Sequence, residues 1–241
     1  DKSVSRGLGD VYKRQDRMSS KVLNGFFVNG SLDSLRLIGM ASTTYHLFED
    51  SLYKGKNLTS GDTIIMRFDE KDLDDIVVEG GSQGEYVPNK KTNDSDFPLI
   101  YSADRIDYFL KTETTKLIGN AKAKHENTNL KAGFIEVNWP SRILNAFPKQ
   151  PHDSINQFIK PTIIEKGRDP MVGNEMTYNL DTKKGKINYG KTKADDGFYK
   201  GKEIRNESDK TIYIKNSIFT TCDLDTPHFH FESNKMKIIQ D

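Results

Sequence analysis

A five-residue segment built around a glycine recurs along this chain and constrains its fold more than any other feature. Residues 37–41 read Leu-Ile-Gly-Met-Ala, and residues 117–121 read Leu-Ile-Gly-Asn-Ala. Residues 76–81, Ile-Val-Val-Glu-Gly-Gly, are a degenerate copy, and Gly39, Gly80 and Gly119 are about 40 residues apart. A repeat of this size is typical of one small structural unit stacked on itself. Because each copy is a short apolar run closed by glycine, we expect the unit to be a strand and a turn rather than a helix.

The composition agrees with a stack of β-units. Hydrophobic residues make up 34% of the chain and charged residues 29%, as suits sheets with one face in water. The net charge of +1 gives no overall attraction to nucleic acid, and no run of 18 apolar residues predicts a membrane-spanning helix. Stacked strands form a wall or a groove more readily than a deep catalytic pocket, which favours binding, scaffolding or transport.

The N-terminus has no initiator Met and no signal-peptide pattern. Residues 10–15, Asp-Val-Tyr-Lys-Arg-Gln, resemble a translated transposase adapter from sequencing-library preparation. We therefore expect residues 1–15 to be a non-native tail and residues 16–241 to be a fragment of a longer gene product. The missing signal peptide then says nothing about location.

Four segments alternate apolar and polar residues with the period of a half-buried strand. We expect their apolar faces to line one shared interior, and an ordinary closed core filled by the same side chains is the alternative. The lining candidates are Ile64, Met66 and Phe68, then Ile106, Tyr108 and Leu110, then Ile135, Val137 and Trp139, then Ile212 and Ile214.

The alternating segments fall into three repeats at about 21–88, 97–139 and 173–241, separated by a proline-rich insertion at 140–172. Prolines at this density are expected to exclude a central strand. Ile155, Phe158 and Ile159 are expected to form at most one or two helical turns. The fold class is therefore expected to be all-β.

The most suggestive cluster for chemistry is residues 222–230, which contain Cys222, His228 and His230. Thiolate and imidazole are zinc ligands, and two residues apart on a strand the histidines share a face. No further Cys or His pair supports a metal, and two surface histidines beside Phe229 and Phe231 in a core are the alternative. No nucleophile elbow, phosphate loop or dinucleotide fingerprint is present. We predict no catalytic residue, no metal and no cofactor.

Residues 176–239 resemble the N-terminal periplasmic domain of the lipopolysaccharide-assembly outer-membrane proteins, the organic-solvent-tolerance family. The matching segments are Met-Thr-Tyr-Asn-Leu at 176–180, Lys-Lys-Gly at 183–185, Asp-Gly-Phe-Tyr-Lys-Gly at 196–201, Tyr-Ile-Lys-Asn at 213–216, Phe-Thr-Thr-Cys-Asp at 219–223 and Pro-His-Phe at 227–229. The earlier repeats are similar to this family and to its soluble periplasmic relatives, so the resemblance covers roughly 35–239.

The resemblance implies an open, twisted β-jellyroll built from stacked strand repeats, at the periplasmic face of the cell outer membrane. It implies transport of lipopolysaccharide, whose acyl chains pass along a hydrophobic groove towards an outer-membrane barrel. The implied partners are lipopolysaccharide, a periplasmic bridge protein of the same fold joined by edge-strand addition, and the barrel with its lipoprotein plug. In the family, the cysteine matching Cys222 forms a disulfide with a barrel cysteine.

The sequence is also compatible with two other kinds of function. One is a soluble periplasmic bridge of the same repeat family. The other belongs to a different class: a surface β-solenoid adhesin, or a metal-dependent enzyme at Cys222 and His228.

Overall fold

The structure is a computed structural model that describes residues 16–49, 52–69, 72–89, 97–149, 158–194, 197–208, 211–224 and 226–239. These residues form strands and loops without a helix, which confirms the expected all-β class. Consequently, no helix within the described ranges could cross a membrane. The predicted tail at 1–15 and Ile155 lie outside the described residues. The chain divides into two compact units, residues 1–111 and 112–241, called unit 1 and unit 2.

Unit 1 is built on long antiparallel strands. Its strands are β1 (Arg17–Ser19), β2 (Val22–Val28), β3 (Ser31–Glu49), β4 (Leu52–Asp69), β5 (Asp72–Pro88) and β6 (Leu99–Phe109). β3, β4, β5 and β6 pair in chain order. β1 and β2 pair with different parts of β3. The apolar run at residues 76–78, expected to be a strand, lies within β5.

Unit 2 contains more and shorter strands. They are β7 (Thr114–His125), β8 (Thr128–Asn138), β9 (Ile143–Phe147), β10 (Thr162–Glu165), β11 (Met171–Val172), β12 (Glu175–Asn179), β13 (Gly185–Ala194), β14 (Gly197–Ser208), β15 (Thr211–Thr220) and β16 (Phe231–Ile239). Between β8 and β13 the sheet follows two routes, one through β9 and β12 and the other through β10 and β11.

The repeated glycines lie in the middle of long strands, so the expectation that each one closes a strand is wrong. Gly39, Gly80 and Gly119 have φ of 79°, 77° and 72°, and the residue after each also has positive φ. Two left-handed residues in succession form a bulge, which shifts the register of β3, β5 and β7 at these points. Glycine is needed because other residues rarely adopt this conformation.

Neighbouring strands accommodate the bulges by changing which residues face inward. In β6, Tyr101 and Ala103 are buried before the bulge, and Ile106 and Tyr108 after it. The step of three residues between Ala103 and Ile106 breaks the alternation, so each strand alternates only within one half. We call the two halves of a bulged strand its limbs.

The proline-rich insertion does contain central strands, contrary to expectation. β9 pairs with both β8 and β12, and β10 pairs with both β8 and β11. Pro140 and Pro148 flank β9, and Pro161 and Pro170 precede β10 and β11. The prolines therefore lie outside the strands whose hydrogen bonds they would break. Phe158 and Ile159 lie in a loop rather than in a helical turn.

Candidate functional site

The inward face of unit 1 is a continuous apolar surface. Leu37, Ile64, Val78 and Ile106 lie side by side on β3, β4, β5 and β6, and each is 0% exposed. The adjacent row contains Leu35, Met66, Ile76 and Tyr108. Four lining candidates, Ile64, Met66, Ile106 and Tyr108, therefore fall in two neighbouring rows. The other two are at the margin: Phe68 is half-buried near the end of β4, and Leu110 follows the end of β6.

Unit 2 has two longer rows of the same kind. The first crosses eight strands and contains Leu117, Ile135, Ala146, Met176, Ile187, Ile204, Ile214 and Met236. The second contains Thr115, Val137, Leu144, Tyr178, Gly185, Asn206, Ile212 and Ile238. The candidates Ile135, Val137, Ile212 and Ile214 are buried within these rows. Trp139 lies just beyond β8 and is half-buried.

A small cavity, partly open to solvent, lies against these rows in unit 2. Met176, Ile187 and Ile204 line it from the first row, and Leu130, Ile163 and Met171 line it from β8, β10 and β11. Lys183, Lys186 and Glu165 also border it. The space is thus apolar over most of its wall, with charged groups on its border.

The titratable groups among the inward side chains of unit 2 are held neutral at pH 7. Burial raises the pKa of Tyr178 to about 12. Burial also lowers the pKa of His125, whose ring centroid lies 6.3 Å from that of Tyr178. An uncharged lining is compatible with hydrocarbon, because burying an unpaired charge beside it would be costly.

The opposite faces of the same strands are polar. Glu136 lies between Ile135 and Val137 and forms a 3.9 Å ion pair with Lys116. Lys215 follows Ile214 and lies 3.0 Å from Glu203. The alternation expected from the sequence is therefore present in β15 and in residues 135–138 of β8, where the buried Phe134 ends the polar face.

An apolar strand lies exposed at the edge of unit 1. β2 pairs with β3, and no other described strand pairs with it. All its residues are exposed, including Leu23 at 59%, Phe26 at 48% and Phe27 at 68%. A free edge with apolar side chains is a template for pairing with another chain.

Cys222 lies in the loop between β15 and β16, half-buried, with its Sγ 3.8 Å from His228 Nδ1. His230 instead contacts Glu232 at 3.0 Å. No group of three metal-binding side chains occurs among the described residues. Phe229 and Phe231 are 54% and 66% exposed, so the interpretation that they belong to a core is wrong.

The sequence patterns did not identify about two thirds of the residues in the inward rows. Leu37, Val78 and Leu117 occupy the same position of the repeat, two residues before the glycine, and all are 0% exposed. That shared position could have identified these three residues as buried. Met176 and Ile204 carried no such signal, because their row depends on pairing between strands distant in sequence.

Together the bulged strands and apolar rows define a β-jellyroll built from stacked strands, as expected. No protein-family model matches the chain, and no curated protein sequence matches it significantly. Among solved structures, it is similar to the crystal structure of LptH, the LptA-homologous periplasmic component of the conserved lipopolysaccharide transport device from Pseudomonas aeruginosa. The TM-score is 0.51 and the sequence identity 14%, over 64% of this chain and 96% of LptH. At this identity the likeness establishes the fold alone.

Proposed function

We propose that this chain carries lipopolysaccharide through the periplasm by holding its acyl chains against the inward apolar rows. The main support is the continuity of those rows, which cross eight strands in unit 2 and border a cavity that is partly open to solvent. Burial of an acyl chain contributes about 0.8 kcal/mol per methylene, whichever apolar side chains supply the surface. Transport needs this burial to be continuous and unspecific, and no step in it requires a catalytic residue.

More specifically, we propose that the chain is the N-terminal periplasmic domain of a lipopolysaccharide-assembly outer-membrane protein of the organic-solvent-tolerance type. The support is the ordered series of family-like segments from 176 to 239, on a fold shared with a protein of the same transport device. In this proposal the chain works at the periplasmic face of the outer membrane, and residues 1–15 take no part. Its lining is the set of candidate residues given above, from Ile64 to Ile214.

The proposed partners correspond to two exposed regions. The free apolar edge of β2 suits a periplasmic bridge protein of the same fold, which would add a strand there. The loop around Cys222 and the first residue of β16 display Leu224, Phe229 and Phe231, and these exposed apolar side chains suit contact with an outer-membrane barrel and its lipoprotein plug. A disulfide from Cys222 to a barrel cysteine would fix that contact.

A soluble periplasmic bridge protein is the second candidate. It is favoured by one observation: LptH, itself a periplasmic component, aligns over 96% of its length. The two candidates differ in what the gene encodes after Asp241, because only the first continues into barrel strands with alternating apolar residues. Sequencing the gene beyond that codon separates them.

Photo-crosslinking tests the proposal itself. A photoreactive amino acid at Val137 or Ile212, both on the inward rows, should capture lipopolysaccharide during transport. The matched controls are Glu136 and Lys215, which belong to the same two strands but lie on the polar face. Equal capture from both faces, or none from either, would show that the inward rows do not carry lipid.

A further inference from the structure

Four polar side chains form a hydrogen-bonded cluster on the mainly apolar interior of unit 1. The Tyr108 hydroxyl lies 2.7 Å from Thr59 Oγ1 and 3.1 Å from the Tyr101 hydroxyl. Tyr101 in turn donates a 2.6 Å hydrogen bond to Asn57 Oδ1. Tyr101, Tyr108 and Thr59 are 2%, 5% and 6% exposed, so water does not compete for these bonds.

The cluster joins the two limbs of the bulged strands. Tyr101 lies in the row of Thr59 and Gly84, whereas Tyr108 lies in the row of Met66 and Ile76 beyond the bulge. Seven residues of straight strand span about 23 Å, more than two tyrosine side chains can bridge. The hydroxyls of Tyr101 and Tyr108 therefore meet only because β6 bends and because its step of three residues turns both inward.

Local packing fixes Tyr101 in this position. Its ring covers Gly84 on β5, and a Cβ at Gly84 would collide with the ring. The missing side chain allows Tyr101 to reach across β5 to Asn57 on β4. Burial raises the pKa of Tyr101 well above its ordinary value and also raises that of Tyr108, so both hydroxyls keep their protons and remain donors.

A hydrocarbon chain that passes between the limbs at this point must separate Tyr108 from Thr59 and offers neither of them a new partner. Buried hydroxyls that lose their partners are costly, so the cluster opposes entry of lipid. We propose that Asn57, Thr59, Tyr101 and Tyr108 form a clasp that closes the interior of unit 1 in the lipid-free protein and opens to admit acyl chains. The inference rests on the proposed function and adds a control point to it.

The clasp is tested in the full chain with purified lipopolysaccharide and a photoreactive phenylalanine at Phe68. Phe68 is half-buried beside the Met66 row, so an aromatic probe fits there. The double variant Y101F/Y108F removes both hydroxyls and keeps both rings. It should raise the initial labelling rate at Phe68 about fivefold, which corresponds to about 1 kcal/mol of barrier. A second probe at Ile212 in unit 2 should be labelled at an unchanged rate.

The variants T59V and T59S provide an independent comparison if the double variant does not fold. T59V removes one hydroxyl and should raise labelling at Phe68, whereas T59S keeps it and should match the wild type. Unchanged or slower labelling in Y101F/Y108F or T59V, with normal labelling at Ile212, overturns the clasp and leaves the proposed function standing. Absence of labelling at both positions in the wild type overturns the proposed function and the clasp with it.

Discussion

The indole Nε1–H of Trp139 donates a 2.8 Å hydrogen bond to Oγ1 of Thr115. Thr115 is buried in the second inward row of unit 2, and Trp139 lies half-buried just beyond the end of β8. The bond therefore holds the only tryptophan of the chain at the margin of the proposed lipid-binding surface.

Trp139 should therefore report on lipid in unit 2. Lipopolysaccharide with brominated acyl chains should quench its fluorescence, because quenching by bromine requires close approach to the indole. Unbrominated lipopolysaccharide is the control for effects other than contact. Binding by calorimetry without bromine-dependent quenching would place the acyl chains away from Trp139.

The bulge glycines should be needed for stability. Gly39→Ala places a Cβ on a residue with φ of 79°, and the strain should cost about 1 kcal/mol in the free energy of unfolding. The three atoms nearest to that Cβ belong to the Lys21 side chain, at 3.2–3.4 Å, so a small shift of Lys21 makes room for it and the main cost comes from the backbone. Gly25→Ala is the matched control, because Gly25 has ordinary φ and the added Cβ meets side chains at 3.4–3.9 Å. Equal urea midpoints for the two variants would contradict a strained bulge.

Glu203 should make unit 2 sensitive to acid. Its carboxylate forms ion pairs with Lys215 at 3.0 Å, Lys186 at 3.1 Å and Arg205 at 2.8 Å, and these cations lower its pKa to about 2. Because the folded-state pKa lies below the unfolded value, the stabilisation is complete above about pH 4.5 and is lost as the pH falls towards 2.

The variant E203Q tests this interaction. It should be less stable than the wild type at pH 7 by roughly 1 kcal/mol, since ion pairs near the surface are weak and screened. The difference should shrink as the pH falls from 4.5 towards 2 and should also shrink in 1 M salt. A difference in urea stability that does not change with pH would assign the effect to packing.

The proposed outer-membrane role predicts a disulfide at Cys222. Expressed in an oxidising compartment, the full-length gene product should show Cys222 bridged to a downstream cysteine in non-reducing mass spectrometry. Cys222→Ser should remove that bridge and leave the fold of this chain intact, because the thiol is half-buried and its one described contact, at 3.8 Å, is with His228. A free Cys222 in the oxidised full-length protein would refute the family-derived pairing.

The β2 edge should mediate assembly. The double variant L23K/F27K puts charges on a strand whose side chains are already exposed, so its stability should change by less than about 0.5 kcal/mol. Charged residues on a free edge oppose strand addition, so binding to a bridge protein of the same fold should weaken. The control is F231K on the other exposed edge strand, β16, and equal loss of binding in both variants would argue against a specific role for β2.

The sequence by itself determined the local features of this protein. Alternation in residues 64–68 and 212–215 identified strands and their buried faces, since side chains of a strand point to opposite sides. The recurring glycines marked the bulges, although their place in the middle of strands was not visible. Glycine signals a left-handed backbone conformation equally well in a turn and in a bulge.

Only the tertiary structure decided which of these faces meet. Pairing of β9 with β12 and of β10 with β11 made central strands of a proline-rich segment, because Pro140, Pro148, Pro161 and Pro170 lie outside the ladders. The exposure of Phe229 and Phe231 depends on which strands cover them, which no local pattern records. Thr59 and Tyr108 are 49 residues apart and share a hydrogen bond. Such contacts depend on register and on bends that accumulate across several strands, and therefore on the whole sheet rather than on any segment of the sequence.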